Sequence, residues 1–295
     1  MASLFDINLF GLFGQLLIGL INGSFYALLA LGLAIIFGLL KIINFSQGAL
    51  YMLGAFAAWM GMNYLGIGYW WSLLLVPIGV AIFGIILERF LVRPIAGEDH
   101  LYSLLLTFGI ALVLQGLFTH WYGSSGMSYP IPAELKGGTR LPFMYLPNYR
   151  AWIIVCSLVV CTATWYMIEK TKLGAYLRAG TENPQLMQAF GINVPLIVTL
   201  TFGFGVGLAG LAGVLAAPVY SVSPEMGSSI LIVVFAIVVI GGMGSIGGAI
   251  LTGLGMGVVE GLTKYFYPEA SNTVIFLVMV LVLLIKPAGL FGKEA

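Results

Sequence analysis

LFGLFGQLLIGLINGSFYALLALGLAIIFGL, residues 9–39, decides the fold. No charge interrupts it between Asp6 and Lys41; Asn22 and Ser24 are polar breaks within it. A bilayer-crossing helix needs about 20 apolar residues, so the run is long enough to span and too long for one untilted span. A barrel strand would alternate polar with apolar residues, and this run does not. Lys41 is the first positive charge. A secretory signal needs a basic region ahead of its apolar run, so this run is expected to be a membrane span and not a cleaved leader.

Similar runs follow at 46–65, 70–91, 101–121, 151–168, 195–216, 229–241, 247–266 and 272–287. Of the 295 residues, 60% are hydrophobic and 8% are charged, against about 25% charged in a soluble domain. Too little polar surface exists to cover a soluble core, which also excludes a disordered chain and a disulfide scaffold. The expected class is an all-α polytopic membrane protein with about eight or nine transmembrane helices, some of them broken. Residues 1–295 form one transmembrane domain, since no segment is long and polar enough for a soluble one. The net charge of +1 leaves no basic excess for nucleic acid; the partner that composition demands is the lipid bilayer.

Basic residues set the orientation. Arg89 with Arg93, Lys170 with Lys172 and Arg178, and Lys286 with Lys293 all fall on one side, the cytoplasmic one. The N-terminus is then outside and Lys41 inside, provided that neither the long first run nor the Gly-interrupted pair 229–241 and 247–266 contains a half-span. The loop at 122–150 lies outside and the loop at 169–194 inside. Aromatics at run ends, among them Trp70, Trp71, Trp121, Tyr149, Trp152 and Tyr166, read as an interfacial belt. The glycine clusters at 203–215 and 241–257 read as close helix packing, with a broken helix beside a transport path as the alternative.

Chemistry-bearing motifs are scarce. Gly205, Gly207 and Gly210, and again Gly242, Gly244 and Gly247, match G-x-G-x-x-G without the strand and acid of a nucleotide site, and no P-loop sequence occurs. His100 and His120 have no partner at metal-ligand spacing. Cys156 and Cys161 sit on different faces of one helix, where they act as small apolar residues. Glu260 is the single carboxylate well inside a span, and Lys264 one turn on is its expected ion-pair partner. Asn22, Ser24, Asn44, Ser46, Gln47, Thr107 and Gln115 are uncharged polar breaks, each needing a hydrogen bond that lipid does not offer. Asn22 and Ser24, and the cluster Asn44, Ser46 and Gln47 before Gly48, are the candidates for a substrate pathway.

The inner loop is the most informative segment. Asn183 can cap a helix beginning at Pro184, and Gly191 can end it after Phe190, following the usual asymmetry of Pro at the start and Gly at the end. Leu186 and Phe190 then share a face, with Met187 beside them. Such a helix either lies on the bilayer or docks into a groove of another protein.

Four segments carry a family resemblance: INFSQGALYMLGAF (43–56), GAYLRAGTENPQLMQAFGINV (174–194), VVIGGMGSIGGAILTG (238–253) and KPAGLFG (286–292). In order and spacing the sequence resembles the permeases of ABC importers for branched-chain amino acids, and most of all the first of the two related permeases. Ser46-Gln47 departs from the Ala-His more common there. The resemblance implies a subunit of the bacterial inner membrane that works by alternating access. Its partners would be a second homologous permease, two cytoplasmic ATPases and a periplasmic substrate-binding protein. The ATPases would use ATP-Mg, and this chain would bind no cofactor and catalyse no reaction. Residues 184–190 would be the helix seated in an ATPase cleft, with Arg178, Glu182, Asn183, Leu186, Met187, Phe190 and Gly191 as the coupling set. The resemblance leaves the substrate open among amino acids, urea and short amides. An ion-coupled carrier or a passive channel is the alternative, and the scarcity of charge within the spans counts against the carrier.

Overall fold

A computed structural model describes residues 9–40, 42–95, 100–141 and 144–292. Asp6, Lys41, Glu98, Asp99 and Lys293 lie outside the described residues, as does the side chain of His100. Each of the nine apolar runs folds as a helix: α1 (Leu9–Leu40), α2 (Gln47–Leu65), α3 (Tyr69–Leu87), α4 (His100–Tyr122), α5 (Asn148–Lys170), α8 (Val194–Ala216), α9 (Met226–Gly241), α10 (Ile246–Phe266) and α11 (Val274–Ile285). Among the described residues, α1, α3, α4, α5, α8 and α10 are long and apolar enough to cross a membrane, while α9 and α11 are shorter. The inner loop forms two helices, α6 (Lys172–Glu182) and α7 (Pro184–Ala189). A hairpin of β1 (Gly138–Leu141) and β2 (Met144–Pro147) occupies the outer loop.

Helices α1 and α8 form the buried centre, and α3, α4 and α5 turn most of their surface outward. Outward residues such as Leu74, Ile78, Leu112 and Val159 are apolar, as lipid contact requires. Helix α1 runs antiparallel to α10 at backbone contact. A Cβ on Gly19 would stand 2.4 Å from the Gly257 carbonyl, and one on Gly253 would stand 2.5 Å from the Ala27 Cα. Lipid tails are as apolar as leucine, so close approach through small residues is what holds such helices together. The glycine runs are packing surfaces here.

The described members of the three basic clusters lie at one end of the bundle. Arg93 reaches the start of α8 by donating to the Pro195 carbonyl (3.3 Å), and Arg178 donates to the Ile168 carbonyl near the end of α5 (3.3 Å). The segment after α11 returns to the end of α9, where Leu290 N–H donates to the Ile240 carbonyl (2.8 Å). Helix α3 reaches that end through a π turn (Glu88–Val92) and a 3₁₀ turn (Arg93–Ile95). There Glu88, 2% exposed, takes a forked pair of bonds from Arg93 at 2.9 and 3.1 Å. Glu88 is therefore a second buried carboxylate beside Glu260, one that apolar patterning alone does not reveal.

At the opposite end Tyr149 is not an interfacial anchor. It is 1% exposed, its hydroxyl donates to the Leu215 carbonyl (2.9 Å), and it lies 3.1 Å from the Tyr69 hydroxyl. Trp152 Nε1 donates to that same Tyr69 oxygen (3.0 Å). The pair thus ties α3, α5 and α8 together. Trp71, Trp121 and Tyr166 are exposed, as an interfacial belt requires.

The path into α9 is broken. After α8 the chain passes through an isolated two-residue bridge, Val222 with Met127 of the outer loop, and then turns inward. Gly227, in the first turn of α9, meets Gly48, in the first turn of α2, so closely that a Cβ on either would fall 2.2–2.3 Å from the other's carbonyl oxygen. Gln47 donates to the Gly205 carbonyl near the middle of α8 (3.1 Å). Both helices therefore begin inside the bundle, at the depth of the middle of α8. The return segment and α9 together still make one crossing, so the parity assumed for the basic clusters is unchanged.

Candidate functional site

Two places combine polar chemistry with access. At the basic end, Thr171 separates α5 from α6, and Asn183 separates α6 from α7. Asn183 Oδ1 accepts from Leu186 N–H (3.0 Å), and Pro184 fills the first helical position, where no N–H is needed. At the far end Gly191 N–H donates to the Gln188 carbonyl (2.9 Å) and Ile192 N–H to that of Met187 (3.1 Å). Gly191 has φ of +81°, a left-handed conformation that closes a Schellman-type cap and favours glycine. Asn193 repeats the device at the start of α8 by accepting from Leu196 N–H (3.1 Å).

The sequence therefore fixes α7 by capping at both ends, and its apolar face is left bare. Leu186 is 52% exposed and Phe190 73%. Met187 is half-buried, and Glu182, Asn183 and Gly191 are exposed. Arg178 of α6 stands 3.7 Å from Glu169, with both side chains partly exposed; a pair like this contributes under about 1 kcal/mol. Helix α6 was not anticipated from the sequence, which reads as loop up to Asn183. Its Leu173 and Tyr176 are also exposed, so the apolar surface extends along both helices.

The second place is a cavity of about 500 Å³ between α1, α9, α10 and α11. Asn22, Tyr26, Tyr220 and Glu260 meet there. Glu260 accepts from Asn22 Nδ2 (3.3 Å) and from the Tyr26 hydroxyl (2.8 Å), and Asn22 Oδ1 accepts from the Tyr220 hydroxyl (3.2 Å). The expected Glu260–Lys264 pair is corrected: Lys264 is exposed, and the ion pairs among the described residues are Arg93–Glu88 and Arg178–Glu169. Residues 260 and 264 share a helix face, but burial favours the neutral donors of α1 over a lysine at the surface.

The remaining pathway candidates lie elsewhere. Ser24 is buried and donates to the Leu20 carbonyl of its own helix (2.9 Å). Asn44, Ser46 and Gln47 are buried and bonded to one another. They support the irregular stretch between α1 and α2, with Thr107 of α4 accepting from Phe45 N–H (3.1 Å) and donating to the Ile43 carbonyl (3.1 Å). Irregular backbone at membrane depth needs such partners. Of the five candidates, Asn22 lines the large cavity. Tyr26, Tyr220 and Glu260 were missed as a group because they come from α1, the segment after α8, and α10, and meet only in the folded bundle.

A bundle of apolar helices around a cavity with a buried polar cluster, and a capped helix pair projecting from one end, defines a multi-pass membrane protein of the transport class. The chain belongs to the family described as branched-chain amino acid transport system / permease component, whose model matches residues 15–283. It is a protein of the inner membrane, and its family is a transport permease, not an enzyme. It is 30% identical to the high-affinity branched-chain amino acid transport system permease protein LivH of Salmonella typhimurium, over 95% of both chains. To the corresponding protein BraD of Pseudomonas aeruginosa it is 32% identical, again over 95% of both. It also matches LivM of Salmonella typhimurium, at 29% identity over 90% of this chain and 67% of that one. No solved structure matches the chain.

Proposed function

We propose that the chain is one of two homologous permeases in an ATP-driven importer of branched-chain or closely related amino acids. Its partners are a second permease of the same family, two cytoplasmic ATPases that use ATP-Mg, and a periplasmic binding protein that delivers the substrate. The observation that carries the reading is α7: a helix rigidly capped at Asn183 and Gly191, with Leu186 and Phe190 bare at the basic end of the bundle. An apolar helix face in that position fits a groove on a cytoplasmic subunit. The likeness to both LivH and LivM supports pairing with a related permease. A chain without a P-loop then takes its energy through contact with its ATPases, which bind one conformation better than the other.

The test is vesicle uptake by the reconstituted complex. Leu186→Asp and Phe190→Asp are expected to lower ATP-driven uptake at least tenfold while ATP hydrolysis continues. Unchanged coupling in both variants would remove α7 from the mechanism.

A further inference from the structure

The cavity between α1, α9, α10 and α11 has a chemistry that selects its ligand. Glu260 is 8% exposed, yet no lysine or arginine lies within ion-pairing distance of it among the described residues. An ionised carboxylate carries about four acceptor positions. Asn22 and Tyr26 fill two of them, from one side. Both donors are neutral, and a buried charge without a counter-charge is costly. Tyr220 holds Asn22 in place through its carbonyl oxygen (3.2 Å), which directs the Asn22 amide toward Glu260. The carboxylate is therefore held in a fixed orientation and lacks a cation.

The other walls are mostly apolar, through Phe25, Ile230, Val233, Ile275 and Phe276, with Tyr51, Ser229, Ser271 and Asn272 as further polar side chains. The volume of about 500 Å³ lies in the range of small-molecule sites, roughly 300–1,000 Å³. A ligand that satisfies both surfaces carries a compact positive group at one end and a short apolar group at the other.

We infer that Glu260, Asn22, Tyr26 and Tyr220 form a seat for a primary ammonium group, and that the apolar wall takes an aliphatic side chain. The ligand class is an aliphatic α-amino acid, held by its amino group. Its identity as the transported substrate rests on the function proposed above; the ammonium seat itself does not. The seat also gives the permease a selection of its own, since it rejects an isosteric acid that lacks the amine.

The experiment is displacement of radiolabelled leucine from the full-length chain in lipid nanodiscs. The competitors are unlabelled leucine, 3-methylbutylamine (the amine without the carboxylate) and 4-methylpentanoate (the carboxylate without the amine). Leucine and the amine are expected to displace the label, and the acid to do so at least tenfold less well. Glu260→Gln keeps the shape and removes the charge; it is expected to weaken leucine binding at least tenfold. Tyr26→Phe keeps the carboxylate and is expected to weaken it less. Displacement by the acid as good as by the amine, absence of leucine binding, or a folded Glu260→Gln chain that binds within twofold of the wild type would each overturn the seat. Should Glu260→Gln fail to accumulate, the competitor series on the unaltered chain decides. None of these arms uses ATP or a partner, so failure of the seat and failure of the importer reading are separate results.

Discussion

At the scale of single residues, the buried polar groups of this protein divide into those that hold helices and those that face a cavity. Glu88 belongs to the first kind. Its carboxylate is closed off by Arg93, which also bonds Thr199 and the Pro195 carbonyl and so fastens the end of α3 to the start of α8. Removing Arg93 strands the buried Glu88; because Arg93 is itself 38% exposed, the cost falls below the roughly 3–5 kcal/mol of a fully buried pair. Arg93→Leu is therefore expected to lower the thermal unfolding midpoint of the detergent-solubilised chain well below that of Arg89→Leu. Equal midpoints for the two variants would show that the fork carries no stability. Asn183 acts locally. Asn183→Ala removes the acceptor for Leu186 N–H and is expected to cost about 1 kcal/mol of local helix stability, seen as faster amide exchange over residues 184–190. Exchange equal to the wild type would mean that the cap is not needed.

At the scale of elements, glycine decides which helices touch. Gly255 and Gly257 lie two residues apart on α10 and face opposite environments. A Cβ at Gly255 meets nothing within 4 Å, and one at Gly257 falls 2.4 Å from the Gly19 carbonyl oxygen and from Gly23 backbone. Gly255→Leu is expected to accumulate in the membrane near the wild-type level, while Gly257→Leu is expected to be lost to degradation. Comparable accumulation would contradict the α1–α10 packing. The same contrast explains what the sequence discloses. Uninterrupted apolar runs disclosed nine helices, because a span must be apolar along its whole length. Asn183, Pro184 and Gly191 disclosed α7, because caps are local in sequence. Helix α6 stayed hidden, because its polar residues resemble those of a loop and its stability comes from packing Leu177 against the bundle. The hairpin at 138–147 lay beneath a Pro- and Gly-rich stretch that reads equally well as coil. Glu260 was misassigned to Lys264, since a helical repeat gives the neighbour one turn away and says nothing of a donor 238 residues distant.

At the scale of the whole molecule, the two sites stand at different depths of one rigidly packed bundle. The bare face of α6 and α7 is at the basic end, and the Glu260 cavity opens among α1, α9, α10 and α11. The long helix α1 runs past both regions: it contacts α6 near its inner end and carries Asn22 and Tyr26 into the cavity. One helix thus touches both regions. Helices α2 and α9 begin at the Gly48–Gly227 contact in mid-bundle, so a shift of α9 against α2 changes the cavity wall without unfolding a full span. Gly227→Val, which forces that contact apart, is expected to abolish uptake even where the chain still accumulates; uptake within twofold of wild type in such a chain would rule out a role for this contact.

A chain that works as one permease among energy-supplying partners must be found with them in the membrane, and affinity capture shows whether it is. The tagged chain is purified from its native membrane in mild detergent, with a known ABC complex as control, and the co-purifying proteins are identified by mass spectrometry. Recovery of a second permease of the same family together with one or two P-loop ATPases is expected. Recovery of this chain alone, while the control complex stays intact, would contradict the importer reading and point to a self-sufficient carrier or channel built around Glu260.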